Sequence, residues 1–277
     1  MAIGDASRIN TNISALNALN SLKDINQKLE ISQLRLSTGK RINESADDPS
    51  GYSIANSFDQ RARGLSTALD SVGTAGNVMS IAEGSLMNVN QILLNMRDLV
   101  LQGASDTMGS TERTAINAQL TSLRAEIDRI ASQTAFNGNN LLDGTFTDKR
   151  FQTGDTASDY ISFSISSNFN STSIGLADVS VDDSAAASNS LAGVNDAITL
   201  VTSQVQMIGS AVQRFRLVEN NLSVAITNTT AAKSRILDVD VAQEQVESTR
   251  LQILRQLTTA QLAQANTAPQ SVLSLFR

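Results

Sequence analysis

Hydrophobic residues recur along three long stretches at alternating intervals of four and three positions. A repeat of about 3.5 residues keeps one apolar seam on one face of a helix, which is what coiled-coil packing requires. Three such seams in one chain predict long helices that pack together as a bundle. The seams are Ala82, Leu86, Val89, Leu93, Met96 and Val100; Ile116, Leu120, Leu123, Ile127 and Ile130; and Val194, Ile198, Val201, Val205, Ile208, Val212 and Phe215.

The first two of these helices are predicted to form an antiparallel hairpin across the segment GASDTMGS, in which Gly109 helps to separate them. Ser110 or Thr111 is expected to cap the second helix, and Glu112 lies near the positive end of its dipole. The third seam, far along the chain, completes the bundle.

Both ends of the chain predict a further helix that is apolar on more than one face. A helix of this kind needs cover on more than one side. We therefore expect the two ends to pair with each other and then with something else. The N-terminal positions are Ile13, Ala15, Leu16, Leu19, Leu22, Ile25, Leu29 and Leu36, and the C-terminal ones are Val246, Ile253, Leu257 and Ala260 in one seam and Leu251, Leu254 and Leu262 in another.

Strand-like alternation appears only between the second and third seams. After the turn cluster FNGNNLLDGTF, Ile161, Phe163 and Ile165 alternate with serines. The segments KRFQTG and YISFSI therefore predict a β-hairpin around the loop 155–159. From Ser166 to Ser190 the chain is rich in small and polar residues, which predicts a surface segment that tolerates insertion and deletion.

The amino-acid composition excludes several kinds of functional site. The chain has 277 residues and a net charge of −6, with no Cys, His or Trp. A negative chain is a poor partner for nucleic acid, and the missing residues remove disulfides, the usual zinc, copper and haem ligands and the commonest general base. The acidic segment SADDPSG does not fit a calcium loop and predicts a turn punctuated by Pro49 and Gly51. We expect no catalytic residue, no cofactor and no metal site.

The segment MAIGDASRIN has no basic region followed by an apolar one, so no cleaved secretory signal is expected. No apolar run reaches the roughly 20 residues of a membrane span. The protein is therefore expected to stay in the cytoplasm or to leave by a route that reads no ordinary signal peptide.

Four ordered segments resemble the bacterial flagellins. They are RINTNISALNALNSL (Arg8 to Leu22), RLSTGKRINESADDPSGYSIAN (Arg35 to Asn56), EIDRIASQTAFNGNNLLDG (Glu126 to Gly144) and LAQANTAPQSVLSLFR (Leu262 to Arg277). The resemblance covers both ends and most of the helical middle, and only the stretch from about Thr145 to Ser190 lacks it.

This resemblance implies a mainly α fold with a discontinuous terminal domain. Residues 1–42 and 236–277 would form its coiled coil, 43–56 a connecting segment, 57–144 and 191–235 a central helical bundle, and 145–190 a β-hairpin with a variable surface segment and no large outer domains.

It also implies a structural subunit of the flagellar filament, located outside the cell and not an enzyme. The chain would be exported unfolded through the flagellar type III channel and would assemble with copies of itself at the distal tip. Its implied partners are the filament cap and hook-junction proteins and an export chaperone on the C-terminal region.

The apolar terminal positions would then be assembly surfaces, buried by neighbouring subunits. They are Ile13, Leu16, Leu19, Leu22, Leu29, Leu36, Val246, Ile253, Leu257, Val272, Leu273, Leu275 and Phe276.

The resemblance further implies a surface for a host Toll-like receptor. Strongly recognised flagellins carry Arg at the position matching Asn95 and Glu at the position matching Gln119, whereas Arg97 and Leu99 still match the family. Weak recognition is expected.

Two alternatives remain open. A hook–filament junction protein shares the terminal helices and has a similar length, although SADDPSG, FNGNNLLDG and VLSLFR favour a flagellin. An enzyme on a helical scaffold is a different class, and a zinc peptidase insert with an H-E-x-x-H motif is incompatible with a chain that has no His.

Overall fold

The computed structural model describes residues 11–274, with side chains up to Thr267. The chain divides into a terminal unit, Met1–Gln60 with Thr229–Arg277, and a central unit, Arg61–Asn228. The predicted mainly helical fold with a small β-hairpin is confirmed. The elements are α1 (Ile13–Thr38), α2 (Pro49–Gly103), α3 (Ser110–Gln133), β1 (Ala135–Phe136), β2 (Asn139–Asn140), β3 (Phe146–Gln152), β4 (Tyr160–Ile165), α4 (Ser184–Leu237) and α5 (Val241–Ser274).

The core of the central unit is built from the three predicted seams. All six residues of the α2 seam are fully buried, and the α3 and α4 seams are buried or half-buried beside them. The hairpin joins the same core, because the rings of Phe151 on β3 and Phe215 on α4 meet edge to face with centroids 5.6 Å apart. A period of 3.5 residues therefore marked the buried face correctly on all three helices.

The cap predicted for α3 is wrong. Ser110 is already the first helical residue, and the N-cap is Gly109, which has no side chain to accept a hydrogen bond. A Cβ at position 109 would meet the carboxylate end of Glu112, a flexible side chain that would have to turn away. Glu112 does occupy the first turn, where a negative charge is favourable.

The turn at SADDPSG ends sooner than predicted. The Asp48 carboxylate accepts a hydrogen bond from the Gly51 N–H at 2.9 Å and caps α2. Pro49 opens the helix, which suits a residue with no N–H to donate. Gly51 does not punctuate the turn but lies inside the first turn of α2. A Cβ at this position would collide with Asp48 and Ile42.

Two small antiparallel ladders follow α3. β1 and β2 are joined through Asn137 and Gly138, whose φ angles of 49° and 79° suit a two-residue hairpin turn. β3 and β4 form the predicted hairpin, with a register shift between Phe146 and Lys149. Arg150 on β3 stacks over the ring of Tyr160 on β4 at 4.6 Å.

The segment after β4 is predicted to lie on the surface, but the structure buries part of it. Before α4 begins at Ser184, five of its apolar side chains are buried in the core of the central unit. Isolated apolar residues in a polar background gave no periodic signal, although each one fills a place in the core. The buried residues are Phe169, Ile174, Leu176, Val179 and Val181.

A row of polar side chains on α3 holds this segment in place. Asn117 accepts a hydrogen bond from the Val181 N–H at 2.9 Å, and Asp128 accepts one from the Ser171 N–H at 2.7 Å. Arg124 donates to the Ala177 carbonyl at 2.6 Å. The backbone of the segment therefore finds its partners on a helix rather than in water.

Arg113 begins this row and is the most buried charged residue described, with 8% of its surface exposed. Its guanidinium donates to the carbonyls of Gly103 at 2.6 Å, Ser105 at 2.9 Å and Val181 at 3.3 Å. It thus satisfies carbonyls at the C-terminal end of α2, which no intrahelical N–H can reach.

Candidate assembly surface

In the terminal unit, α1 and α5 pack side by side as an antiparallel pair. Near the end of α1, the Arg41 N–H donates to the Leu237 carbonyl at 2.6 Å, and the Val239 N–H donates to the Gly39 carbonyl at 3.0 Å. At the start of α1, the Asn12 amide donates to the Ala265 carbonyl at 2.6 Å. The prediction that the two terminal helices pair with each other is confirmed at both ends of the pair.

One set of apolar residues is buried where α1 and α5 pack against each other. Leu29 on α1 and Leu251 on α5 are only 3% and 4% exposed. Ser32, Ser248 and Thr258 are buried with them, and such small side chains allow the helices to approach closely. Leu22, Ile25, Leu36, Leu254 and Leu262 are half-buried.

Three of the predicted assembly residues are therefore used within the chain. Leu22, Leu29 and Leu36 are buried or half-buried on the α1 side of this pair. The C-terminal seam of Leu251, Leu254 and Leu262 is the one that α1 covers. The other C-terminal seam is left over.

That second seam forms an exposed apolar stripe along α5. Val246, Ile253 and Leu257 are 70%, 53% and 56% exposed. At 100° per residue these three positions lie on one side of the helix, about 130° around it from Leu251 and Thr258. Arg250 lies between Val246 and Ile253 on this side, and exposed apolar side chains lined up along one helix side in this way mark an interaction surface.

On α1 the exposed apolar residues cluster near the two ends of the helix. Ile13, Leu16 and Leu19 form one cluster, and Ile31 and Leu34 form the other. We use the name outer face for Ile13, Leu16 and Leu19 together with Val246, Ile253 and Leu257. Of the other predicted assembly residues, Val272 and Leu273 lie in α5, where side chains are not described, and Leu275 and Phe276 lie outside the described residues.

One carboxylate beside this pair has a displaced pKa. The pKa of Asp47 is held below its usual range, first because the Asn43 N–H donates to it, and also because of the Glu44 N–H and the charge of Arg35. A lowered pKa means that the charged form stabilises the turn. This contribution is present above the usual carboxyl pKa and is lost as the pH falls through the lowered value.

The predicted receptor surface lies on α2 and α3 of the central unit. Asn95, Arg97 and Gln119 are exposed, and Leu99 is half-buried against the core. Within the part of the chain that the structure describes, the side chains of Asn95, Arg97 and Gln119 make no hydrogen bond or ion pair. They are free to contact a partner, and that role stays a prediction.

Residues 11–274 contain neither a membrane-spanning helix nor a cluster of metal ligands. None of the helices described there is long and apolar enough to span a bilayer. No three acidic side chains in that range gather closely enough to hold a metal ion.

The chain matches two family models, one in each half, and several known proteins over nearly its whole length. The models describe the bacterial flagellin N-terminal helical region, matched over residues 9–147, and the bacterial flagellin C-terminal helical region, matched over residues 191–276. The flagellar filament 33 kDa core protein of Treponema phagedenis is 34% identical over 97% of this chain and 99% of its own length. Flagellin of Bacillus subtilis is 36% identical over 98% of this chain and 100% of its own length.

Among solved structures, Bacillus cereus flagellin is 28% identical and covers 58% of this chain and 93% of its own, with a TM-score of 0.49.

Proposed function

Because the chain belongs to the bacterial flagellin family, we propose that it polymerises with copies of itself into the flagellar filament outside the cell. The observation that carries this proposal is the outer face, since its three α5 side chains are apolar, share one side of the helix and are left without cover by the chain's own helices. Flagellins are structural filament proteins, and this chain is not an enzyme.

Assembly gains free energy from the outer face in a way that a single subunit cannot. Fully burying one Val, Leu or Ile side chain contributes roughly 1.5–3 kcal/mol. The outer face offers three such side chains on α5 alone, each at least half exposed. A free subunit leaves them in water, whereas a neighbouring subunit removes them from it, so the stabilisation appears only on polymerisation.

The same argument assigns a different role in the filament to each of the two units. We assign the filament core to residues 1–42 and 236–277, whose helices carry the outer face, and a supporting role to the central bundle, 57–144 and 191–235. Residues 43–56 connect the two, and 145–190 carry the β3–β4 hairpin and the segment that packs against α3.

The proposal also includes the proteins that export the chain and help it to assemble. Export unfolded through the type III channel would be followed by assembly beneath a filament cap, with the first subunits added to hook-junction proteins. An export chaperone on the C-terminal region would shield the outer face of α5 before export, because an uncovered apolar stripe is an aggregation hazard. The hook–filament junction alternative has no observation in its favour, since the full-length relatives named above are a filament core protein and a flagellin.

Seeded growth tests the proposed function. Purified protein mixed with short filament fragments should extend them into long filaments that electron microscopy counts and measures. Fragments assembled from the same chain are the seeds, and heat-depolymerised fragments are the control for spontaneous nucleation. Seeds that stay at their original length over a wide range of protein concentrations would refute the proposal.

Weak recognition by a host Toll-like receptor is a further proposal. Replacing a charged anchor by a neutral amide removes a charge-assisted hydrogen bond worth about 1.5–3 kcal/mol. Two such losses, at Asn95 and Gln119, would lower affinity by about a hundredfold or more. An Asn95→Arg, Gln119→Glu double variant should therefore activate receptor reporter cells at a far lower dose than the natural protein. Equal potency of the two proteins would contradict this proposal.

A further inference from the structure

Helix α2 contains six glycines, although glycine is among the least favourable residues in a helix interior. Three of them have a close neighbour that excludes a larger residue, and Gly51 is one of these. A Cβ at Gly64 would meet the Cβ of Asp155 at 2.9 Å, and a Cβ at Gly103 would meet the Cβ of Val181 at 2.7 Å. At these positions the packing of the chain accounts for the glycine.

The other three glycines of α2 are Gly73, Gly76 and Gly84, and they have no such neighbour. Within the described part of the chain, a Cβ at any of them would meet no atom within 4 Å beyond the nearby backbone of its own helix. Alanine would therefore fit at all three positions. Because glycine loses more conformational freedom on folding than any other residue, each of the three makes α2 less stable than alanine would.

The buried side of the same stretch also contributes less stability than the stretch that follows it. Its buried residues include an alanine at every seventh position, whereas the buried residues between positions 86 and 100 are only leucine, valine and methionine. Alanine removes much less apolar surface from water than leucine does, so its burial contributes less to folding. The alanines are Ala68, Ala75 and Ala82, and the larger side chains are Leu86, Val89, Leu93, Met96 and Val100.

We propose that residues 68–84 form a weak segment of α2, through which the central unit opens locally while residues 86–100 stay helical. Local opening occurs where few apolar contacts hold the backbone, and in this segment the low helix propensity of glycine adds to that effect. For the role of the opening, the inference rests on the proposed function. A chain that is exported unfolded has to lose the 55-residue α2, and a weak segment within that helix is where its unfolding begins.

Amide hydrogen exchange of the full-length, unassembled chain tests the weak segment directly. Mass spectrometry of peptides from α2 measures how fast each part of the helix takes up deuterium, and each rate is corrected for the intrinsic rate of its own sequence. We expect the amides of residues 70–84 to exchange at least about tenfold faster than those of residues 86–100. Both sets belong to one helix of one unit, so global unfolding exposes them equally and only local opening separates them.

A triple variant, Gly73→Ala with Gly76→Ala and Gly84→Ala, tests the cause of the weakness. Exchange of residues 70–84 should slow by about tenfold or more, and the unfolding midpoint of the central unit should rise by roughly 3–12 °C. Gln91→Ala is the matched control, because it places an alanine at an exposed position of the same helix outside the segment. That control should leave the exchange of residues 70–84 at its natural rate.

Equal protection of the two parts of α2 in the natural chain would overturn the inference. A triple variant whose residues 70–84 still exchange at the natural rate would overturn it as well. So would a triple variant with a lowered unfolding midpoint, because the glycines would then be required by the packing of the folded chain. All of these measurements are made on the unassembled subunit, so a failure of seeded growth would refute the proposed function and leave the weak segment standing.

Discussion

An Ile253→Asp substitution should abolish filament growth and leave the central unit folded. Ile253 lies at the middle of the apolar stripe on α5 and is 53% exposed in the single chain. The substitution removes a buried side chain worth roughly 1.5–3 kcal/mol at the subunit contact and places a carboxylate there without a partner. A total loss of at least about 3 kcal/mol raises the concentration required for growth by more than about a hundredfold.

Gln252→Asp is the matched control, since it introduces the same charge at an exposed neighbouring position outside the stripe. That variant should grow filaments at close to the natural concentration. Thermal unfolding followed by circular dichroism should give the natural midpoint for both variants, because neither position belongs to the central unit. Normal filaments from Ile253→Asp would show that the α5 stripe is not an assembly surface.

An Arg113→Met substitution should lower the unfolding midpoint of the central unit by roughly 6–12 °C. Methionine keeps much of the length of the side chain but leaves the carbonyls of Gly103, Ser105 and Val181 without their donor. Hydrogen bonds from a charged group contribute about 1.5–3 kcal/mol each, so a total loss of about 3 kcal/mol is a low estimate. One kcal/mol moves the midpoint of a unit of this size by about 2–4 °C.

Arg129→Met provides the comparison on the same helix. Arg129 is exposed and pairs with Glu126 within α3, so its loss should leave the midpoint almost unchanged. Differential scanning calorimetry of both variants measures the difference. Equal midpoints for Arg113→Met and Arg129→Met would mean that the buried guanidinium does not anchor the end of α2.

The sequence predicted those parts of the fold that depend on periodicity. The seams of α2, α3 and α4 were found because a 3.5-residue repeat in apolar residues is a direct consequence of burying one side of a helix. The β-hairpin was found for a similar reason, since Ile161 and Ile165 alternate with exposed serines along β4.

Contacts between residues far apart in sequence could not be predicted in the same way. Arg113 lies three positions before Ile116 and so in line with the α3 seam, but a charged residue there gives no sign of burial, and its acceptor at Val181 is 68 positions away. The burial of Phe169 and Leu176 has the same origin, because scattered apolar residues have no period and their place in the core is set by α3.

The assembly surface was predicted in outline, but not in its division between inner and outer residues. Both C-terminal seams are equally apolar in sequence, and so nothing in their composition says which one α1 covers. In the structure the paired seam is the one interrupted by Ser248 and Thr258, whose small side chains let α1 approach. The seam of Val246, Ile253 and Leu257 is left outside.

The central claim is that this outer stripe is buried between subunits, and electron cryo-microscopy of filaments grown from this chain tests it most directly. The account predicts that side-chain atoms of Val246, Ile253 and Leu257 lie within about 4.5 Å of apolar atoms of another subunit, with α1 and α5 of each subunit still paired. A map in which these three side chains face water, while other surfaces join the subunits, would contradict it.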